Sequence, residues 1–237
     1  MRTAATLLIA AATLLSACTL PTNALFHSLC TPPCWQGVTP GETTREELVK
    51  LAPTFPYYEE ENTSWWDFPQ SVSPAWEPTP LPIARFNMDP RRWNSGVSVL
   101  LVDNVVSRIE ISSSWSLFGP KGMGLSLSEA IDAYGEPTDL ILGYGCGGDL
   151  ACLYIYLVYP EIGTVVAAQT FEQPPVIHVE PELYVRSVAF MPPEDTDVYL
   201  GEENSKFSMD CLRSSFSSPW QGFVALQFPD SMSACED

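Results

Sequence analysis

The sequence predicts an α+β fold: two tandem modules, each a short helix packed on an antiparallel sheet of about four strands. Two observations carry this expectation. The chain holds two capped helix starts of the same pattern, and each is followed by short segments in which apolar and polar residues alternate. A hydrophobic content of 46% with seven Trp gives such modules enough apolar surface for a core and argues against disorder.

Taken from the N-terminus, Arg2 is a short positive region and Ala4 to Leu15 is a mainly apolar run. A bilayer-spanning helix needs about 20 residues, so this run reads as residues 1–17 of an export signal. It ends in Leu15-Ser16-Ala17-Cys18, which resembles the bacterial lipobox. The resemblance implies acylation of Cys18, a lipid bilayer as partner, and an extracytoplasmic position on the cell membrane or outer membrane. Residues 18–33 then form a tether. The sequence has 11 Lys+Arg against 29 Asp+Glu, a net charge of −18. Loss of the signal removes only Arg2 among them. A surface this acidic repels phosphate backbones, which excludes nucleic acid as a partner.

Beyond Cys18 stand Cys30, Cys34, Cys146, Cys152, Cys211 and Cys235. An even set in an exported chain reads as disulfides, and the six fall into three sequence-local pairs. Cys146-Gly-Gly-Asp-Leu-Ala-Cys152 has glycines that let the chain fold back, whereas Pro32 and Pro33 stiffen the small Cys30–Cys34 loop. A redox role for Cys30 and Cys34 lacks the CxxC spacing and a surrounding strand–helix pattern.

The first module covers 34–112. Gly41 to Leu51 aligns without gaps on Gly124 to Tyr134. In that alignment Thr43 and Ser126 cap the two helices, with Glu46 and Glu129 three residues on completing the capping boxes. Leu48 and Ile131 then hold equivalent buried positions, on helices at 43–52 and 126–135. Pro53 and Gly135-Glu136-Pro137 end them. Residues 54–82 read as a loop-like insertion rich in Pro and aromatics. Val97–Val102 and Val105–Ile111 are strands around an Asp103-Asn104 turn. After a linker at 113–121 the second module covers 122–192, with strands at Leu153–Tyr159, Thr164–Ala168 and Val185–Phe190. Val185–Phe190 matches Val106–Ile111 with alternating apolar residues. Residues 193–237 form an acidic and then Ser-rich extension that packs back through Trp220 and Phe223.

The order Gly-x-Thr/Ser, Glu, Leu/Ile, then Tyr134-Gly135-Glu136-Pro137 and an antiparallel meander, resembles the small module of the BamE/SmpA-OmlA lipoproteins and of β-lactamase inhibitor protein. The first copy departs from it, with Leu51-Ala52-Pro53 in place of the Tyr-Gly-Glu-Pro run. What the resemblance implies is envelope scaffolding or protein inhibition, as an analogy of fold.

Signals of chemistry are sparse. Gly143-Tyr144-Gly145-Cys146-Gly147-Gly148 matches GxGxxG, but a strand follows it where a dinucleotide site needs a helix; a disulfide-closed turn is the better reading. No Gly-x-Ser-x-Gly element occurs. His27 lies in the tether, and His178 reads as a partly buried strand residue. Glu59-Glu60-Glu61 lacks the alternating ligands of a calcium loop. No catalytic residue, metal or cofactor is assigned. The candidate binding surface is Tyr57, Tyr58, Trp65, Trp66 and Trp76, which read either as caps on a small core or as a surface for a protein or glycan. The expected function is non-enzymatic binding or scaffolding at the envelope. An inhibitor or assembly factor for an envelope protein is one alternative. The second is a carboxylate-dependent glycan hydrolase, which needs two carboxylates about 5–9.5 Å apart.

Overall fold

The structure, a computed structural model, describes residues 30–55, 58, 60, 63–69, 80–87, 96–112, 125–147, 150–170, 176–200 and 215–227. The fold is α+β. Its helices are α1 (Arg45–Leu51) and α2 (Leu127–Tyr134). Its strands are β1 (Thr63–Pro69), β2 (Pro80–Asn87), β3 (Gly96–Val102), β4 (Val105–Ser112), β5 (Asp139–Gly147), β6 (Leu150–Tyr159), β7 (Thr164–Thr170), β8 (Val176–His178), β9 (Val185–Phe190), β10 (Ser215–Pro219) and β11 (Ala225–Gln227).

Instead of two sheets of about four strands, one antiparallel sheet of nine strands runs in the order β1-β2-β3-β4-β9-β7-β6-β5-β10. The joint is the β4–β9 ladder, where Ile109 pairs with Phe190 and Ile111 with Val188. These four side chains are buried, so opening the ladder would expose apolar surface on both strands. A second, two-stranded sheet pairs β8 with β11.

Both helices begin with a complete capping box. In α2 it is Ser126 with Glu129, where the sequence pattern put it. In α1 it is Thr44 with Glu47, one residue later than Thr43 with Glu46. The hydroxyl of Thr43 instead accepts the Thr39 N–H at 2.8 Å, which holds the turn before the helix. The hydrogen bond from the Thr44 N–H holds the Glu47 carboxyl below its ordinary range. The one-residue shift also changes which helix positions correspond. Leu48 is fully buried, and its counterpart is the buried Ala130; Ile131 is only half-buried. Gly135, with φ +86°, caps the end of α2.

The two helices lie on one face of the sheet. There Leu48, Leu127 and Ala130 join Val99, Ile109, Ile155, Val166 and Val188 in one core. Trp35 enters the same core, with its ring centroid 4.9 Å from that of Phe55. Immediately before it the Cys30–Cys34 disulfide closes a small loop. On the opposite face a second cluster gathers Tyr156, Val158, Val165, Ala167, Ala189 and Met191 with Tyr199 and Leu200, from a helical turn at 196–200. β10 extends the sheet beyond β5, and the Trp220 N–H donates to the Thr138 carbonyl. Asp103 and Asn104 both have positive φ, the geometry of a tight two-residue hairpin turn between β3 and β4.

Candidate functional site

The alternation expected along β4 and β9 is broken, and by the same device in each. In β3–β4 the register passes from Leu100↔Arg108 to Leu101↔Val106, leaving Ser107 as an extra residue. In β7–β9 it passes from Ala167↔Ser187 to Ala168↔Val185, leaving Arg186 extra. A β-bulge bends the strand and re-aims the side chain it carries. Here it delivers Arg186 to the sheet face away from the helices.

Arg186 is half-buried on that face. Its Nη1 donates to Gln169 Oε1 and, at 3.4 Å, to Tyr154 Oη. Its guanidinium carbon lies 5.5 Å from the Tyr154 ring centroid, within cation–π range. Tyr154 and Gln169 are themselves cross-strand partners on β6 and β7. The Tyr154 ring stacks beside that of Tyr156, with centroids 6.4 Å apart and planes at 23°. Gly143 on β5 is paired with Tyr154 and has no side chain to lay against the rings. A Cβ there would stand 3.4 Å from Tyr156 Cε2. The result is a guanidinium and an amide beside the half-buried Tyr154 ring, with the Tyr156 ring buried next to it. Nearer the joint, the Arg108 guanidinium lies 5.0 Å from the Tyr199 ring.

Sequence reasoning missed this patch. The trace it leaves in the sequence is a spacing of three between buried residues, Val185 to Val188 and Val106 to Ile109, where a regular strand has two.

The structure distributes the sequence candidates differently. Trp65 and Trp66 lie on β1, at one edge of the nine-stranded sheet, where a loop was expected. Trp65 is in register with Ala84 and then Val99, whereas Trp66 is in register with Ile83 and Leu100. Tyr58 is half-buried against the main core, and its N–H donates to the Phe55 carbonyl. Tyr57, Trp76, Cys18, Cys211 and Cys235 lie outside the described residues. Cys146 and Cys152 sit within the β5 and β6 strands and are not cross-strand partners: Cys146 pairs with Ala151, and Cys152 with Gly145. The GxGxxG segment is thus mostly strand. His178 is exposed on β8, where partial burial was expected.

Two shallow grooves flank α1, of about 570 Å³ beside the Asp103-Asn104 turn and about 470 Å³ on the Gly37 side. Among the described residues no group of three or more His, Cys, Asp or Glu side chains is placed to hold a metal ion. No helix among them is long and apolar enough to cross a membrane. Two buried phenol oxygens, of Tyr134 and Tyr159, make no hydrogen bond, and burial raises the pKa of both.

No protein-family model matches the chain, and neither the curated proteins nor the solved structures include a match. The functional reading therefore rests on the chain's own residues.

Proposed function

We propose that the chain is a lipid-anchored protein of the bacterial cell envelope, acting outside the cytoplasm by binding a protein or glycan rather than by catalysis. The observation that carries this is a lipidation-type Leu15-Ser16-Ala17-Cys18 after a short apolar run, followed by a Cys30–Cys34 disulfide at the entry to the fold. Disulfides persist in oxidising compartments, so the bridge agrees with the export signal. Two or three acyl chains on Cys18 would meet the requirement for more than one anchoring signal.

In the same reading the body consists of two tandem modules fused into one sheet. Several backbone features support it. The capping residues Thr44 and Ser126 each bridge to the start of the last strand of their module, at Val105 and Tyr184. Both last strands carry a bulge at the corresponding residue, Ser107 and Arg186. With Ile109 corresponding to Val188 and Ile111 to Phe190, the β4–β9 register maps onto itself. That is the pairing pattern of two copies related by a two-fold axis.

The test is Cys18→Ser in the native host, read by palmitate labelling and detergent phase partitioning. Loss of label and a shift to the aqueous or unprocessed form is expected. Unchanged partitioning overturns the anchor.

A further inference from the structure

We propose that Cys146 and Cys152 are not bonded to each other and that each is joined by a disulfide to the C-terminal region, through Cys211 and Cys235. The β5–β6 register runs without a shift from Asp139↔Val158 to Gly147↔Leu150. Alternate residues of a strand share a face of the sheet, and directly paired residues share it too. On β5, Leu140 and Leu142 belong to the core under the helices, and Cys146 stands in their row. On β6, Leu153, Ile155 and Leu157 belong to that core, whereas Tyr156 and Val158 belong to the cluster on the other face. Cys152 stands in the row of Tyr156 and Val158. The two register positions lie on opposite faces, and cysteines whose Cβ vectors point apart cannot be bridged without moving the backbone. Bringing Cys146 opposite Cys152 takes a slip of one residue, which turns the whole of β6 over. Leu153, Ile155 and Leu157, all fully buried, would then leave the core under the helices. The packing that fixes the register excludes the short bridge.

The cysteine count then names the partners. Cys30 is bonded to Cys34. With Cys18 set aside as the acylated residue of the function proposed above, Cys146, Cys152, Cys211 and Cys235 remain. Once the Cys146–Cys152 pair is removed, every complete pairing joins each strand cysteine to one of the last two. Cys211 and Cys235 lie outside the described residues, and the strands that flank them set their reach. Ser215 pairs with Gly143. By the spacings of a sheet it therefore stands about 11–12 Å from both Cys146 and Cys152. Cys211 is four residues before Ser215, a reach of at most about 14 Å. Cys235 is eight residues after Gln227, a reach of at most about 29 Å. No residue in 217–226 is buried, so packing holds this region to the sheet only lightly, and two covalent links secure it. Each link forms by exchange with a disulfide oxidant. One cysteine thiolate attacks the oxidant and releases its first thiol, and the partner thiolate attacks the mixed disulfide and releases the second. Two electrons and two protons pass from the cysteine pair to the oxidant.

The test uses the full-length Cys18→Ser chain, reduced and then refolded in a buffer of glutathione and glutathione disulfide. Because the oxidant is supplied, the result is independent of export and of the lipid anchor, either of which can fail without it. Free thiols are blocked with iodoacetamide, the chain is cleaved at Asp149 to separate Cys146 from Cys152, and linked peptides are mapped by mass spectrometry without reduction. The Cys146 and Cys152 peptides are each expected to be linked to a peptide that carries Cys211 or Cys235. In Cys146→Ser the one newly blocked thiol should be at Cys211 or Cys235, with Cys152 still linked. Thermal melting checks that the oxidised chain is folded. Where refolding fails, the chain isolated already oxidised from an exporting host is mapped instead. A Cys146–Cys152 link, a Cys211–Cys235 link, or Cys146 or Cys152 blocked without reduction in the folded chain overturns the proposal. A free Cys152 thiol in Cys146→Ser does so as well.

Discussion

Replacing Gly163 with Ala should be among the most damaging single-methyl additions available in this fold. Gly163 joins a 3-10 turn (Pro160–Ile162) to β7, with φ +56° and ψ +41°. Its N–H donates to the Pro160 carbonyl, and its own carbonyl accepts the Met191 N–H at 2.9 Å. A Cβ at this residue would stand 1.9 Å from the Met191 carbonyl oxygen and 3.1 Å from the Pro193 nitrogen. Both neighbours are backbone, and Met191 is 1% exposed at the end of β9, so no side chain can swing aside. The start of β7 must move about an ångström from β9, which breaks the Met191 hydrogen bond. Left-handed strain of roughly 1–2 kcal/mol, a broken buried hydrogen bond of about 1–3 and overpacking of about 1–3 share one displacement. Together they come to roughly 3–6 kcal/mol, a large part of a typical domain's stability. Gly135→Ala is the control. Its φ is also positive, at +86° with ψ −174°, but its Cβ would meet nothing within 4 Å, so only the strain of that glycine-favouring backbone, about 1–3 kcal/mol, applies. Urea unfolding followed by tryptophan fluorescence measures both. A Gly163→Ala protein at least as stable as the Gly135→Ala protein would refute the steric argument.

Two further outcomes follow from the core. Leu48→Ala should cost about 2–5 kcal/mol because Leu48 is fully buried. Ile131→Ala should cost distinctly less, since Ala130 holds the equivalent core place; equal losses in urea unfolding would contradict the assignment. The buried Tyr134 and Tyr159 phenols have raised pKa values, caused first by desolvation. A group with a raised folded pKa gives stability that is intact below its unfolded value near 10 and is lost as pH climbs toward the folded value. Stability should therefore fall above about pH 10, by up to about 1.4 kcal/mol per pH unit for each tyrosine. Alkaline unfolding monitored by phenolate absorbance checks this, and Tyr134→Phe with Tyr159→Phe should remove the dependence that these two residues contribute.

Much of the local structure was legible in the sequence, because its causes are local. Ser126 and Glu129 announce α2, and Asp103-Asn104 announces a hairpin, since each motif satisfies its own backbone within four residues. The cap of α1 was misplaced by one residue because Thr43-Thr44 and Glu46-Glu47 offer two overlapping boxes. Only the packing of Thr43 against Thr39 selects between them. The fusion of the sheet through β4 and β9 was not legible, since it joins residues some eighty positions apart and depends on register. The Arg186 patch was missed for a related reason. A bulge is a relation between two strands, and one strand read alone shows it only as an irregular spacing.

Trp35, directly after the Cys30–Cys34 loop, is already in the core. In the function proposed above Cys18 carries the anchor, and twelve peptide steps separate it from Cys30. At about 3.3–3.6 Å per residue that stretch spans at most about 40 Å. Under that proposal Cys30 is confined to a half-sphere of this radius above the lipid. Any ligand fixed to the same surface within that radius meets it at an effective concentration on the order of 10 mM. Under that proposal a surface with only millimolar intrinsic affinity would be occupied most of the time.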